Sequence, residues 1–251
     1  MKARIKFRKY GVMKFIGHLD VMRYFQKAIR RAGIPIAYTG GYSPHMIMSF
    51  AQPLGVGVTS DGEYLDLELK EPITSEKALK QLNDVMVEGM EIVSFREISE
   101  EKKASGMTIV AAADYRVTLL ESVKTSDITR PLPADWKERI QTFLEQPEIT
   151  VLKKTKRSEK EVNIRPMIFR MEVLPGEQGK ESDSIYLFLA TGSEQNLKPD
   201  LVMETFLSYI GMDPSLVPLH YHRLEVYAKN DKDLQKEESY ISLENLGWDM
   251  I

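Results

Sequence analysis

Two groups of side chains near the start of the chain are of types that bind an anionic ligand. The first is a set of cations, Arg23, Lys27, Arg30 and Arg31, whose spacing places them on one face of a helix. Phosphate groups bind such a face, because Lys and Arg neutralise their charge and release the counterions around them. The same spacing also occurs on solvated helix faces that bind nothing, and the residues alone leave both interpretations open.

The second group lies in the loop GGYSPH, residues 40–45. Its two glycines allow positive φ angles or the close approach of a ligand, and Pro44 stiffens the chain beside them. We expect the polar groups of Tyr42, Ser43 and His45 to point outward. The alternative is a β-bulge or a tight turn between strands, with no ligand.

A third group of cations occurs in the second half of the chain, in the stretch KKTKRSEKEVNIRP. The residues that belong to a candidate binding surface are Lys154, Lys156 and Arg157. A hairpin tip with these side chains would bind RNA or an acidic protein. The alternative is a solvated hairpin without a partner.

The absence of cysteine excludes several classes of chemistry at once. It removes disulfides, thiolate catalysis, iron–sulfur ligation and most structural zinc sites. His18 and His45 lack acidic neighbours at ligand spacing, and LGVGV at residues 54–58 lacks the context of a phosphate-binding loop. We therefore predict no metal and no cofactor, and the sequence does not decide whether the chain catalyses a reaction.

Composition favours a soluble chain with an uneven distribution of charge. The 251 residues are 43% hydrophobic, which is enough for two cores, and the net charge is −3. The first 31 residues nevertheless contain ten Lys or Arg and one acid, Asp20, so that a nucleic-acid role would rest on local charge. The sequence shows no run typical of a signal peptide or a membrane helix, and we expect a cytoplasmic protein without a membrane partner.

Hydrophobic periodicity predicts the elements that position these groups. Residues 2–8 alternate between apolar and cationic side chains, as in a half-buried strand with a cationic outer face. Residues 19–32 follow the helical period until Gly33 and Pro35 end it. With the strands and the helix that follow, the order is β-α-β-β-α-β, and a similar order recurs after a linker at residues 99–108.

The sequence therefore predicts an α+β protein of two tandem ferredoxin-like (βαββαβ) domains. The predicted boundaries are 1–98 for the first domain, 109–228 for the second, and 229–251 for a tail that docks on the body or on another protein. In the second domain, the predicted elements include helices at 134–145 and 197–211 and one strand at 162–174.

The motifs of the first domain resemble those of a known family. The string FIGHLDVMRYFQKAIRRAGIPIAYTGGYSPHMIMSFAQPLGVGVTSDGEYLDLEL resembles the radical-SAM-linked domain of unknown function, a free-standing bacterial protein or a domain fused to a cobalamin-binding radical SAM region. The likeness is specific across residues 2–97 and is weaker beyond them, where NIRP and KPD look similar. It implies association with a radical SAM enzyme and, by analogy, a role in RNA metabolism.

The favoured hypothesis is an RNA-binding recognition module for an RNA modification or processing system. In this hypothesis, Tyr42 stacks on a base, His45 donates a hydrogen bond, and the cations bind phosphates. One alternative is a protein adaptor that docks on a radical SAM enzyme. The other is a metal-independent RNA endonuclease with His18 or His45 as the general base.

Overall fold

A computed structural model of the chain describes residues 1–121, 129–154, 159–176, 183–230 and 240–251. The chain forms two compact units. Unit 1 contains Met1–Ala112 and Arg223–Ile251, and unit 2 contains Ala113–His222. Both units combine strands with helices, and the predicted α+β class is confirmed.

The first part of unit 1 has the predicted β-α-β-β-α-β order. Its elements are β1 (Lys2–Lys9), α1 (His18–Arg31), β2 (Met48–Ala51), β3 (Thr59–Glu68), α2 (Ser75–Asn83), β4 (Met90–Ile98) and the short helix α3 (Gly106–Ile109). The central strand β1 pairs antiparallel with β3 and β4, and β2 pairs antiparallel with β3. The finer prediction of two tandem ferredoxin-like domains stays a prediction.

The apolar faces of β1 and α1, which the sequence patterns predict, pack together in the core of unit 1. Ala3, Ile5 and Phe7 point to one side of the sheet and are fully buried. They join a hydrophobic cluster with the apolar faces of α1 and α2, and the rings of Phe7 and Phe25 lie 4.6 Å apart. Burial of this face fixes which side of α1 points outward.

The other face of β1 is also covered, so the prediction of a cationic outer face is wrong. Arg4 is 2% exposed, and its guanidinium forms a two-point ion pair with Asp66 at 2.7 and 2.9 Å. The Lys6 ammonium lies 2.7 Å from Glu225 and 2.9 Å from Glu244. The covering residues come from distant parts of the chain, and no local pattern in residues 2–8 reveals them.

Unit 2 contains two helices that share an aromatic core. Its elements are β5 (Val110–Leu120), β6 (Thr129–Arg130), α4 (Trp136–Leu144), β7 (Thr150–Lys154), β8 (Glu159–Asn163), β9 (Ile168–Leu174), β10 (Ser184–Ala190), α5 (Pro199–Tyr209) and β11 (Leu219–Lys229), of which β5 and β11 begin or end in unit 1. The ring of Phe206 lies 5.5 Å from those of Trp136 and Phe143. The helices predicted at 134–145 and 197–211 correspond to α4 and α5, whose bounds differ from the predicted ones by at most about two residues.

The predicted strand at residues 162–174 is two strands. A 3-10 turn, Arg165–Met167, separates β8 from β9. Pro166 has no N–H to donate to a strand partner, and the Asn163 side chain accepts the N–H groups of Ile149 and Arg165 at 3.0 Å. This local hydrogen bonding ends β8 and redirects the chain.

The end of the chain packs within unit 1, which also contains residues 223–228 of the predicted second domain. β12 (Tyr240–Ser242) pairs with β11, Leu243 is fully buried, and Trp248 exchanges two backbone hydrogen bonds with Glu97. These contacts agree with the prediction that residues 229–251 include a segment docked on the body, and the predicted domain boundaries stay a prediction. Within the described residues, no helix has the length and the apolar character to cross a membrane.

Candidate nucleic-acid interface

The outward face of α1 carries the four predicted cations. Arg23, Lys27, Arg30 and Arg31 are all exposed, and they fall within an arc of about 100° on a helix of 3.6 residues per turn. The opposite face packs on the sheet through Val21, Phe25, Ala28 and Ile29. The sequence period therefore places these cations together on one surface, as predicted from their spacing.

Most of this charge has no partner within the part of the chain that the structure describes. Arg23 lies 3.3 Å from Asp20, but both side chains are about two-thirds exposed, at 69% and 65%. An exposed pair of this kind contributes about 0–1 kcal/mol and exchanges readily with other anions. Lys27, Arg30 and Arg31 make no ion pair with a described residue. The surface is therefore available to an external anion.

The loop at residues 40–45 is the tip of a hairpin. A β-bridge joins Tyr38 to Met46, and the Thr39 N–H donates to the His45 carbonyl at 2.9 Å. The Thr39 hydroxyl accepts the His45 N–H at 3.1 Å and lies 3.1 Å from its Nδ1. Gly41 has φ of +98°, a conformation that favours glycine. The loop therefore forms a tight turn, which is one of the two interpretations of its sequence. Its outward side chains are nevertheless accessible.

The predicted ligand-binding side chains of this tip are exposed. Tyr42 has its full surface in solvent, and Ser43 and His45 are also exposed. The Thr39 hydroxyl lies on the Nδ1 side of the exposed His45 ring, so the Nε2 side points away from this contact. Tyr42 provides an aromatic surface of the kind on which a base stacks.

The third predicted group is only partly described. Lys154 is the last residue of β7 and stands opposite Glu159 of β8 in the antiparallel register. Lys156 and Arg157 lie outside the described residues. The role of Lys154, Lys156 and Arg157 in binding RNA or an acidic protein stays a prediction.

Sequence reasoning missed a small cleft at the N-terminal end of α1. It is lined by Phe7, Lys9, His18, Val21, Phe50, Pro53, Leu54 and Glu63. His18 is the first residue of α1, is exposed, and packs edge-on against Phe50 with ring centres 5.2 Å apart. The motif HLD contributes His18 to this cleft, PLGVG contributes Pro53 and Leu54, and GEYLDLEL contributes Glu63. No single motif reveals the cleft, because these residues are brought together only by the fold.

Two buried charged residues, Lys9 and Glu63, line this cleft, and a third, Arg223, contacts Glu63. Lys9, Glu63 and Arg223 are 2%, 3% and 1% exposed. The Arg223 guanidinium donates to the Glu63 carboxylate and, at 2.8 Å, to the carbonyl of Gln52, whose φ is +48°. Burial raises the pKa of Glu63, and the charge of Arg223 opposes this shift. Burial also lowers the pKa of Lys9. Arg223 could not be found from the sequence, because it lies 160 residues from Glu63.

The described side chains show no grouping of three His, Asp or Glu that would hold a metal ion. His18 and His45 occupy different parts of unit 1: His18 lines the cleft, and His45 closes the hairpin tip.

Comparison with known proteins assigns the chain to a family. The family model described as "Uncharacterized protein conserved in bacteria (DUF2344)" matches residues 2–199. The chain belongs to this family. This description agrees with the resemblance of the motifs to a bacterial domain of unknown function. It does not mention a radical SAM enzyme.

The remaining comparisons add no functional information. No curated protein matches the sequence. A similar solved structure is the cryo-EM structure of the encapsulated DyP-type peroxidase from Mycobacterium smegmatis, with 12% identity over 88% of this chain and 91% of that chain and a TM-score of 0.20. A TM-score this low supports no argument about the fold or activity of this member of the family.

Proposed function

We propose that the chain is an RNA-binding recognition module and that the outward face of α1 is its main contact surface. The observation that carries this proposal is the exposure of four cations on one helical face, with three of them lacking an ion-pair partner among the described residues. An RNA backbone offers a row of negative charges, and each cation that binds a phosphate releases counterions. In this proposal, Tyr42 stacks on an unpaired base and His45 donates through its Nε2 side.

The proposal includes the system in which this RNA-binding module acts. The motif likeness to the radical-SAM-linked domain supports an RNA modification or processing system that contains a radical SAM enzyme. These 251 residues contain no cysteine with which to hold an iron–sulfur cluster, so the module would bind RNA while another protein or domain carries out the radical chemistry.

A second candidate function is a protein adaptor that docks on the radical SAM enzyme. Exposed apolar side chains near the N-terminus of α1 favour it, namely Val12, Phe15, Leu19 and Val56, which are 60–76% exposed. A hydrogen bond between Gly57 and Lys14 holds the segments that carry Val56 and Phe15 together. Titration of labelled protein with the purified radical SAM enzyme tests this function, and the substitution Leu19→Ser should weaken the complex.

Fluorescence anisotropy with a labelled single-stranded RNA tests the favoured function. The variant R23Q/K27Q/R30Q/R31Q removes the charge of the α1 face, and the variant K77Q/K80Q removes exposed charge from α2 as a matched control. We expect the first variant to lose at least about tenfold in affinity at low salt and the control to bind like the wild type. Equal binding by all three proteins would contradict the proposal. A denaturing gel of the same RNA detects cleavage, and its loss in H45A would instead favour the nuclease alternative.

A further inference from the structure

The cleft beside α1 has both apolar and charged walls. It holds about 10 Å³ of space, which is room for about one water molecule. Phe7, Val21 and Phe50 form its apolar side, and Lys9 and Glu63 form its polar side. A site of this size accommodates a single ligand oxygen, with the rest of the ligand outside the mouth.

Lys9 has hydrogen-bonding capacity that the described residues do not use. An ammonium group has three N–H donors, and the only described partner of this one is the Ile16 carbonyl at 3.0 Å. The side chain is nevertheless 2% exposed and lines the cleft. Since a buried charge with unused donors is costly, an oxygen acceptor in the cleft would stabilise it.

The charge in the cleft that an anion would meet is that of Lys9. Glu63 also lines the cleft, and its carboxylate accepts from the Arg223 guanidinium, which offsets its charge. Lys9 makes no ion pair with a residue that the structure describes. An anion that enters the cleft would therefore pair with Lys9.

The start of α1 adds donors at the mouth. Its N-cap is Gly17, which has no side chain to cap the first-turn N–H groups. The N-terminus of a 14-residue helix attracts anions through these groups and the helix dipole. The His18 imidazole is exposed at the same place and is a further donor.

We propose that this cleft binds the terminal phosphate of an RNA strand, with one phosphate oxygen entering beside Lys9 and a second accepting from His18. This inference rests on the proposed RNA-binding function. A terminal phosphate fits the narrow entrance because it is attached to the chain on one side only and carries about −1.5 to −2 charges. From the mouth, the cations of α1 begin at Arg23, about 8 Å further along the helix, and would hold the next phosphates of the same strand.

The experiment compares three RNAs of one sequence that end in a 5′-phosphate, a 3′-phosphate or hydroxyl groups only. Anisotropy with the full-length protein should show about tenfold tighter binding of one phosphorylated RNA than of the hydroxyl form. Lys9→Met and His18→Gln should each reduce this preference, while Lys77→Met, on the exposed face of α2, should leave it unchanged. His18 is exposed, so His18→Gln tests the site even if Lys9→Met fails to fold.

A second probe separates this inference from the RNA proposal. Inorganic phosphate should shift the NMR signals of the His18 ring in the wild type and not in Lys9→Met. If RNA does not bind but phosphate shifts His18, the cleft stands as an anion site and the RNA proposal fails. If all three RNAs bind equally and phosphate leaves the His18 ring unchanged, the inference is overturned while RNA binding by α1 remains.

Discussion

The cations of β1 and those of α1 differ in their surroundings, although both sets are dense and close together in the sequence. Arg4 and Lys6 are enclosed by carboxylates from β3, β11 and the segment after β12. Lys27, Arg30 and Arg31 of α1 have no ion-pair partner among the described residues. The cations of β1 and the cations of α1 therefore have different roles in unit 1. On β1 they stabilise the fold, and on α1 they remain available to a ligand.

The difference follows from what covers each element. One face of the sheet packs on α1 and α2, while residues 100–106 and 243–246 bring acceptors to its other face. α1 already lies over the sheet, and its outward side faces solvent. An interior guanidinium must have partners to offset the loss of hydration, whereas an exposed one does not.

The largest effect is expected at the Arg4–Asp66 pair. Arg4→Met leaves Asp66 buried with only the Gly106 N–H as its described partner, at 2.7 Å, and should lower the free energy of unfolding by about 3–5 kcal/mol. Urea denaturation measures this change. The double variant R4M/D66L should recover much of the loss, because it removes both charges. A loss below about 1 kcal/mol for Arg4→Met would show that the pair is not structural.

The next effect concerns acid stability around Lys6. Burial alone would raise the pKa of Glu244, but hydrogen bonds from Lys6 and Ser94 and the charges of Lys6 and Arg96 outweigh burial, and the pKa is lowered. A carboxyl group with a lowered folded pKa adds stability above its unfolded pKa of about 4.3 and loses it as the pH falls through the folded pKa. We expect Glu244→Gln to flatten the curve of unfolding free energy against pH in this acidic range. An unchanged curve would contradict this role of Lys6.

The smallest effect on stability is expected on α1. Replacing Lys27 or Arg31 by Gln should change the free energy of unfolding by about 0.5 kcal/mol or less, because these side chains are exposed and unpaired among the described residues. Arg31 gives up in addition a weak attraction to the C-terminal end of the helix dipole. Thermal or urea denaturation measures both variants beside Arg4→Met. A loss of several kcal/mol would mean that the α1 face is part of the folded core rather than a binding surface.

Local patterns in the sequence were sufficient for the predicted helices and for the α1 face, but not for the break between β8 and β9. The helical period from Leu19 to Ala32 identifies both the buried and the exposed side of α1, because it depends only on the helix itself. The partners of Arg4 and Lys6 lie 62 and 219 residues away and could not be predicted from residues 2–8. The cleft was missed for the same reason, since Lys9, His18 and Glu63 meet only in the folded sheet.

The most direct test of the central claim is the salt dependence of RNA binding. For single-stranded RNA, the slope of log K against log salt is about −0.7 per neutralised phosphate, so four cations on α1 predict a slope near −3. The variant R30Q/R31Q should reduce the magnitude of this slope by about 1.4, while K77Q/K80Q should leave it unchanged. The same slope in the wild type and in R30Q/R31Q would show that the α1 face does not contact the RNA.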